Sequence, residues 1–149
     1  MRVMSAAVVI SILSFSCVRT LASRLPGGPN ALAVLQVRAD QAEPRDKCFL
    51  YAELVSQMTE LAGQQFNSGD SAQASKTLEL IRRYADQIHM NIADDSRKLK
   101  NAESLIQRTG FRLRDILHEA SYEDRPDVET TLKQLNQVQT QLMMQVFKR

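Results

Sequence analysis

Residues 74–120 read ASKTLELIRRYADQIHMNIADDSRKLKNAESLIQRTGFRLRDILHEA, and the fold turns on whether this stretch is one helix or two. Stepping alternately by four and three residues from Ala74 reaches Leu78, Ile81, Ala85, Ile88, Ile92, Asp95, Leu99, Ala102, Ile106, Thr109, Leu113, Ile116 and Ala120. Twelve of these fourteen positions are apolar, the pattern of one helix face. A loop adds no fixed rotation, so a stripe that holds its phase argues for a single helix of roughly 50 residues, about 75 Å long. No Gly or Pro marks a break inside residues 74–109. The competing reading ends the helix at residues 91–96, where Asp94, Asp95 and Ser96 are able to cap a new one. That alternative gives an up-down four-helix bundle.

Outward from this stretch the chain remains helical. A first helix is expected from about Pro44, a residue suited to a first helical turn, to Phe66. Tyr51, Leu54, Val55, Met58, Leu61, Ala62 and Phe66 fall on one side of it, and Asn67, Ser68, Gly69 and Asp70 stop it. A last helix is expected from Pro126 to Arg149, with Asp127 and Glu129 at its positive end and Lys148 and Arg149 at its negative end. Sustained alternation and hairpin turn signals are missing, so the fold class is all-α. The preferred architecture is a three-helix hairpin or bundle with a long central helix, a coiled-coil-like seam running along it. Gly110 inside that helix costs about 1 kcal/mol relative to Ala. Two-helix layers bury little area, so a second copy is expected to cover the stripe. The residues expected at that interface are Ile81, Ile88, Ile92, Leu99, Ile106, Leu113 and Ile116.

The part before Pro44 divides in two. Residues 1–22 have the layout of a secretory signal peptide: Arg2, an apolar run from Val3 to Phe15, and Thr20-Leu21-Ala22 at the cleavage position. The apolar run falls short of the ~20 residues of a membrane span, and Arg19 closes it. Cys17 follows Ser14, Phe15 and Ser16, with Leu13 one place early for a lipoprotein signal, which argues against a lipid anchor. A secreted or periplasmic chain, cut after Ala22 and without a transmembrane span, is expected. Residues 23–43, with Pro26, Gly27, Gly28 and Pro29, read as a flexible linker to a helical domain over 44–149. Ala31 to Val37 is apolar enough to dock on that domain or form a short helix. Loss of Cys17 leaves Cys48 as the remaining thiol, flanked by Phe49, Leu50 and Tyr51 and expected to be buried.

Composition narrows the function. The 149 residues carry 19 basic and 17 acidic side chains, and removal of Arg2 and Arg19 leaves the two balanced. That excludes a nucleic-acid binder whose whole surface attracts phosphate. The charges are nonetheless segregated. Arg97, Lys98, Lys100, Arg108, Arg112 and Arg114 face Glu103 alone within residues 97–114, a local +5. Residues 115–129 hold six acids against Arg125, a local −5. Solvation of helix faces accounts for such runs, and docking to an acidic partner, an anionic surface or the acidic end of an antiparallel second copy is the functional reading.

Chemistry-bearing motifs are sparse. His89 and His118 are the two imidazoles, and neither belongs to a Glu-x-x-His pair. No nucleophile elbow or Gly-rich phosphate loop occurs. No catalytic, metal-binding or cofactor-binding residues are therefore assigned, and the chain is read as a non-enzyme. Leu61-Ala62, Phe66, Gly69-Asp70, Ala74, Leu78 and Ile81 resemble the small and apolar positions of a tetratricopeptide repeat over about 25 residues. The aromatic and proline positions of that family are missing, and no second copy follows at its period of about 34. The expected function is that of an exported helical interaction or scaffold protein, a homo-oligomer or the partner of another envelope protein. The alternatives are a small-ligand or metal carrier with His89 and His118 in a four-helix core, and a chaperone-like envelope protein.

Overall fold

The computed structural model describes residues 29–148, so the expected signal peptide at 1–22 lies outside the described residues. The described chain is all-helical: α1 (Pro29–Gln41), α2 (Pro44–Asn67), α3 (Ser71–Met90), α4 (Leu99–Glu119) and α5 (Arg125–Phe147). Pro44 occupies the first turn of α2, where an N–H has no helical acceptor. Gly69, at φ +80°, ends the α2 connection, the left-handed conformation that suits a residue without Cβ. The Asp70 carboxylate then accepts from the Gln73 N–H and caps α3.

The expected continuous central helix is corrected: α3 stops at Met90 and α4 begins at Leu99. The Gln87 carbonyl accepts both the Asn91 side-chain amide at 2.7 Å and the Asn91 N–H at 3.2 Å, so Asn91 caps the last turn of α3. Buried Ser96 accepts from the Ala93 N–H at 3.0 Å and donates to the Asn91 carbonyl at 3.2 Å. Polar side chains here offer the backbone an alternative to helix. Arg97 N–H donates to the Arg45 carbonyl at 2.7 Å, tying the connection to the start of α2, and Lys98 supplies the reversal at φ +56°. An eight-residue connection can return the second helix at any phase, so the unbroken stripe carried no information about continuity.

Breaking the rod lets the chain cover its own seam. α2 packs on α3 and α4, and α5 packs on the same two; among the described residues α3 and α4 do not pack together, nor do α2 and α5. Asp46 meets Arg97 and Glu60 meets Arg112, so α2 and α4 run parallel; Thr131 meets Arg82 and Gln141 meets His89, so α3 and α5 do as well. These partners lie 49 to 52 residues apart in sequence. The molecule is thus two antiparallel hairpins, α2–α3 and α4–α5, lying side by side in register. That offset is far longer than a tetratricopeptide repeat. Leu54, Leu78, Ile81, Ile88, Ile106, Leu113, Leu135 and Leu142 fill the space between them.

Within the stretch read as linker, the short docked helix that Ala31 to Val37 allowed is the one observed, and it is longer than that run. Pro29–Gln41 is helical, with Leu32, Leu35 and Ala39 buried against α2. The Tyr51 hydroxyl donates to Asp40 Oδ1 at 2.8 Å, and the Tyr51 ring stacks on Tyr84 of α3 at 5.9 Å. α1 is apolar on both sides, so Val34 and Val37 remain 69% and 52% exposed.

Candidate functional site

The residues expected at a partner interface lie inside the molecule. Ile81, Ile88, Leu99, Ile106, Leu113 and Ile116 are each 4% exposed or less, and Ile92 is partly buried against the same core. Their neighbours are the other helices of the same chain, which removes the need for a second copy to cover the stripe. Buried hydroxyls in this core are also satisfied: Thr59, Thr77, Thr109 and Thr131 each donate to the carbonyl one helical turn back. Among the described residues no buried side-chain nitrogen or oxygen lacks a partner.

A run of adjoining concavities lies instead along the parallel pair α2 and α4, with α1 as one bank. Three concavities of about 680, 410 and 230 Å³ run together, because Phe49 lines the first two and Leu105 and Arg108 the last two. Val34, Val37, Phe49, Leu50 and Leu105 supply the apolar part. The cations are Arg38, Arg97, Lys98, Lys100, Arg108 and Arg112, against Glu43, Asp46, Glu53 and Glu60. Two cations are answered locally. Arg97 lies 3.0 Å from Asp46 and 3.9 Å from Glu43, and Arg112 lies 3.1 Å from Glu60. Lys98 stands over the Phe49 ring at 4.7 Å. Lys100 and Arg108 form no ion pair among the described residues, which leaves the α4 bank electropositive. The +5 run of the sequence marked this bank; Val34 and Val37 belong to the Ala31–Val37 stretch read as able to dock, but nothing local to it pointed to the α2 and α4 face.

Other candidate groups fall apart. His89 ends α3 and bonds Gln141, while His118 ends α4. The parallel and antiparallel directions above put these helix ends at opposite ends of the molecule, so the two imidazoles do not converge. Cys48 is fully buried, and burial pushes its thiol from 9.0 up to about 12. It stays protonated at neutral pH and is a poor nucleophile. Among the described residues no three His, Cys, Asp or Glu side chains gather as a metal site, and no helix is long and apolar enough to cross a membrane. No family model, curated protein or solved structure matches this chain.

Proposed function

We propose that this chain is an exported, non-enzymatic interaction protein, secreted or periplasmic, that meets other polypeptides along the groove between α1, α2 and α4. One observation carries the reading. The interior holds one apolar core and, among the described residues, its buried polar side chains are paired, while the basic run of α4 and apolar side chains such as Val34 and Val37 lie together on a recessed exterior face. A groove with an apolar floor and charged banks suits recognition of a polypeptide segment, with the floor supplying affinity and the banks orientation. The layout of residues 1–22 supports export, and mass spectrometry of the exported protein is expected to find an N-terminus near Ser23. Retention of Met1 or a lipid on Cys17 refutes that processing.

Photocrosslinking in the native cell tests the interaction role. A benzophenone amino acid in place of Val37 or Asn101, both of which line the groove, is expected to yield polypeptide adducts, and one in place of Glu79 on the exposed side of α3 is not. No adduct from either of the first two positions removes the proposal. A second reading has its own observation. Met90, Met143, Met144 and Phe147, all exposed, lie at the end of the molecule where α3 and α5 terminate. Adaptable methionine surfaces accept varied apolar partners, which suits a chaperone-like role. That role requires suppression of aggregation by an unfolded client, lost on changing these residues to Ser.

A further inference from the structure

We infer that the occupant of the groove is a second copy of this chain, docked antiparallel along α4 so that the acidic α4–α5 turn of each copy sits in the basic groove of the other. The inference rests on the interaction role proposed above and names the partner. The turn is built as a projection. Tyr122, 91% exposed, stands between Glu119 and Glu123. Ser121 Oγ donates to Asp124 Oδ2 at 2.7 Å, the Asp124 N–H donates back to Ser121 Oγ, and Ser71 of α3 donates to the same carboxylate at 2.9 Å. These bonds hold an aromatic side chain with acidic flanks out from the body, while the other half of the same α4 surface carries Lys98, Lys100 and Arg108 beside Phe49.

Helix geometry then sets the register. Phe111, near the middle of α4, is 55% exposed with the Arg114 guanidinium 5.0 Å from its ring centre. At about 100° per residue, Lys100, Ser104, Arg108, Asp115 and His118 all fall within about 60° of Phe111 on the outer face. Two such faces opposed antiparallel about Phe111 bring Arg108 of each copy to Asp115 of the other, and Ser104 to His118. Tyr122 arrives at Lys100, about 17 Å from the centre, where the groove opens beside Phe49. Each attractive pair occurs twice, and the arrangement closes on itself as a two-fold dimer. A lipid surface fits less well, because the cations line a concavity that also holds Glu43, Asp46, Glu53 and Glu60.

Sedimentation equilibrium of the purified protein, at concentrations up to about 0.1 mM, tests the dimer at about 50 mM and about 0.5 M salt. A dimer that weakens at least about tenfold in the higher salt is expected. Arg108→Asp and Asp115→Arg each weaken it about tenfold, and the double charge swap restores it to within about threefold of the parent. Tyr122→Ala, in a turn outside every helix, weakens it without changing the thermal melt. All three sites are exposed, so circular dichroism melts confirm that each variant is folded. A monomer throughout the concentration range overturns the inference, as does a dimer indifferent to salt and to both single changes, or a swap that fails to restore. Binding to phosphatidylglycerol vesicles by a protein that stays monomeric also overturns it, in favour of a membrane surface. A monomer that still crosslinks through Val37 to a different polypeptide ends the dimer and leaves the interaction role standing; absence of any adduct ends both.

Discussion

Gly63 and Gly110 both lie inside helices, yet a methyl group added at each meets different surroundings. At Gly110 the nearest heavy atom is Asn136 Oδ1 at 3.7 Å, an ordinary contact, and the backbone is helical. Gly110→Ala is therefore expected to stabilise the fold by about 0.5–1 kcal/mol, through helix propensity and a less free unfolded chain. That corresponds to a melting temperature higher by about 3–5 °C. At Gly63 the same methyl falls 2.9 Å from Arg112 Nη2 and 3.3 Å from Ile116 Cδ1, where α2 and α4 approach closely. Gly63→Ala must displace both side chains, and a gain less than half that of Gly110→Ala is expected in the same melts. The sequence showed that Gly110 carries a helical cost, but whether it bought a close approach depended on Asn136, a residue 26 positions away in the chain and across a helix interface. The burial of Cys48 was legible, since its apolar neighbours are adjacent in sequence.

Docking of α1 ties down Tyr51, and a second titratable group, Cys48, is buried on α2 three residues before it. Burial first, and then the hydrogen bond to Asp40, push the Tyr51 hydroxyl from 10.0 up to about 12; burial alone moves Cys48 from 9.0 to about 12. Both pKa values are raised in the folded state, so the neutral forms stabilise it fully below the ordinary values. That contribution disappears as pH rises toward 12. Melting temperature is expected to fall steeply between pH 10 and 12, and Tyr51→Phe, which keeps the ring stacking, is expected to flatten that fall. An unchanged slope in Tyr51→Phe counts against the assignment. The α3–α4 connection has a comparable focus in Ser96, 1% exposed and bonded at both Asn91 and Ala93. Ser96→Ala is expected to cost about 1–2 kcal/mol in denaturant unfolding, while Asp95→Ala at the exposed neighbour stays within about 0.5. Both elements stood in the sequence only as competing readings, for a related reason. Ala31 to Val37 allowed a docked helix whose partner surface its weak periodicity does not announce, and Asp94, Asp95 and Ser96 allowed a break whose deciding feature, the burial of Ser96, is set by the fold.

At the level of the whole chain, the all-α class, the α2–α3 turn and the identity of the seam residues were legible, because each follows from spacing along the backbone. What covers the seam was not, since that depends on which way the chain leaves residue 90. A rod of about 75 Å has a radius of gyration near 22 Å whatever packs along it. Two hairpins of 20- to 24-residue helices lying side by side are about 30–36 Å long. For a chain of about 120 ordered residues, that packing corresponds to a radius of gyration of about 14 Å. Small-angle scattering in about 0.5 M salt, where charge-driven association is screened, is expected to return a single-chain mass and a value close to the smaller figure. A single-chain mass with a value near 20 Å overturns the side-by-side hairpins. It also returns Ile81, Ile106 and Leu113 to a surface that another molecule has to cover. The smaller value leaves the exterior of α4, with Phe111 at its middle and opposite charges toward its two ends, as the surface through which copies can meet.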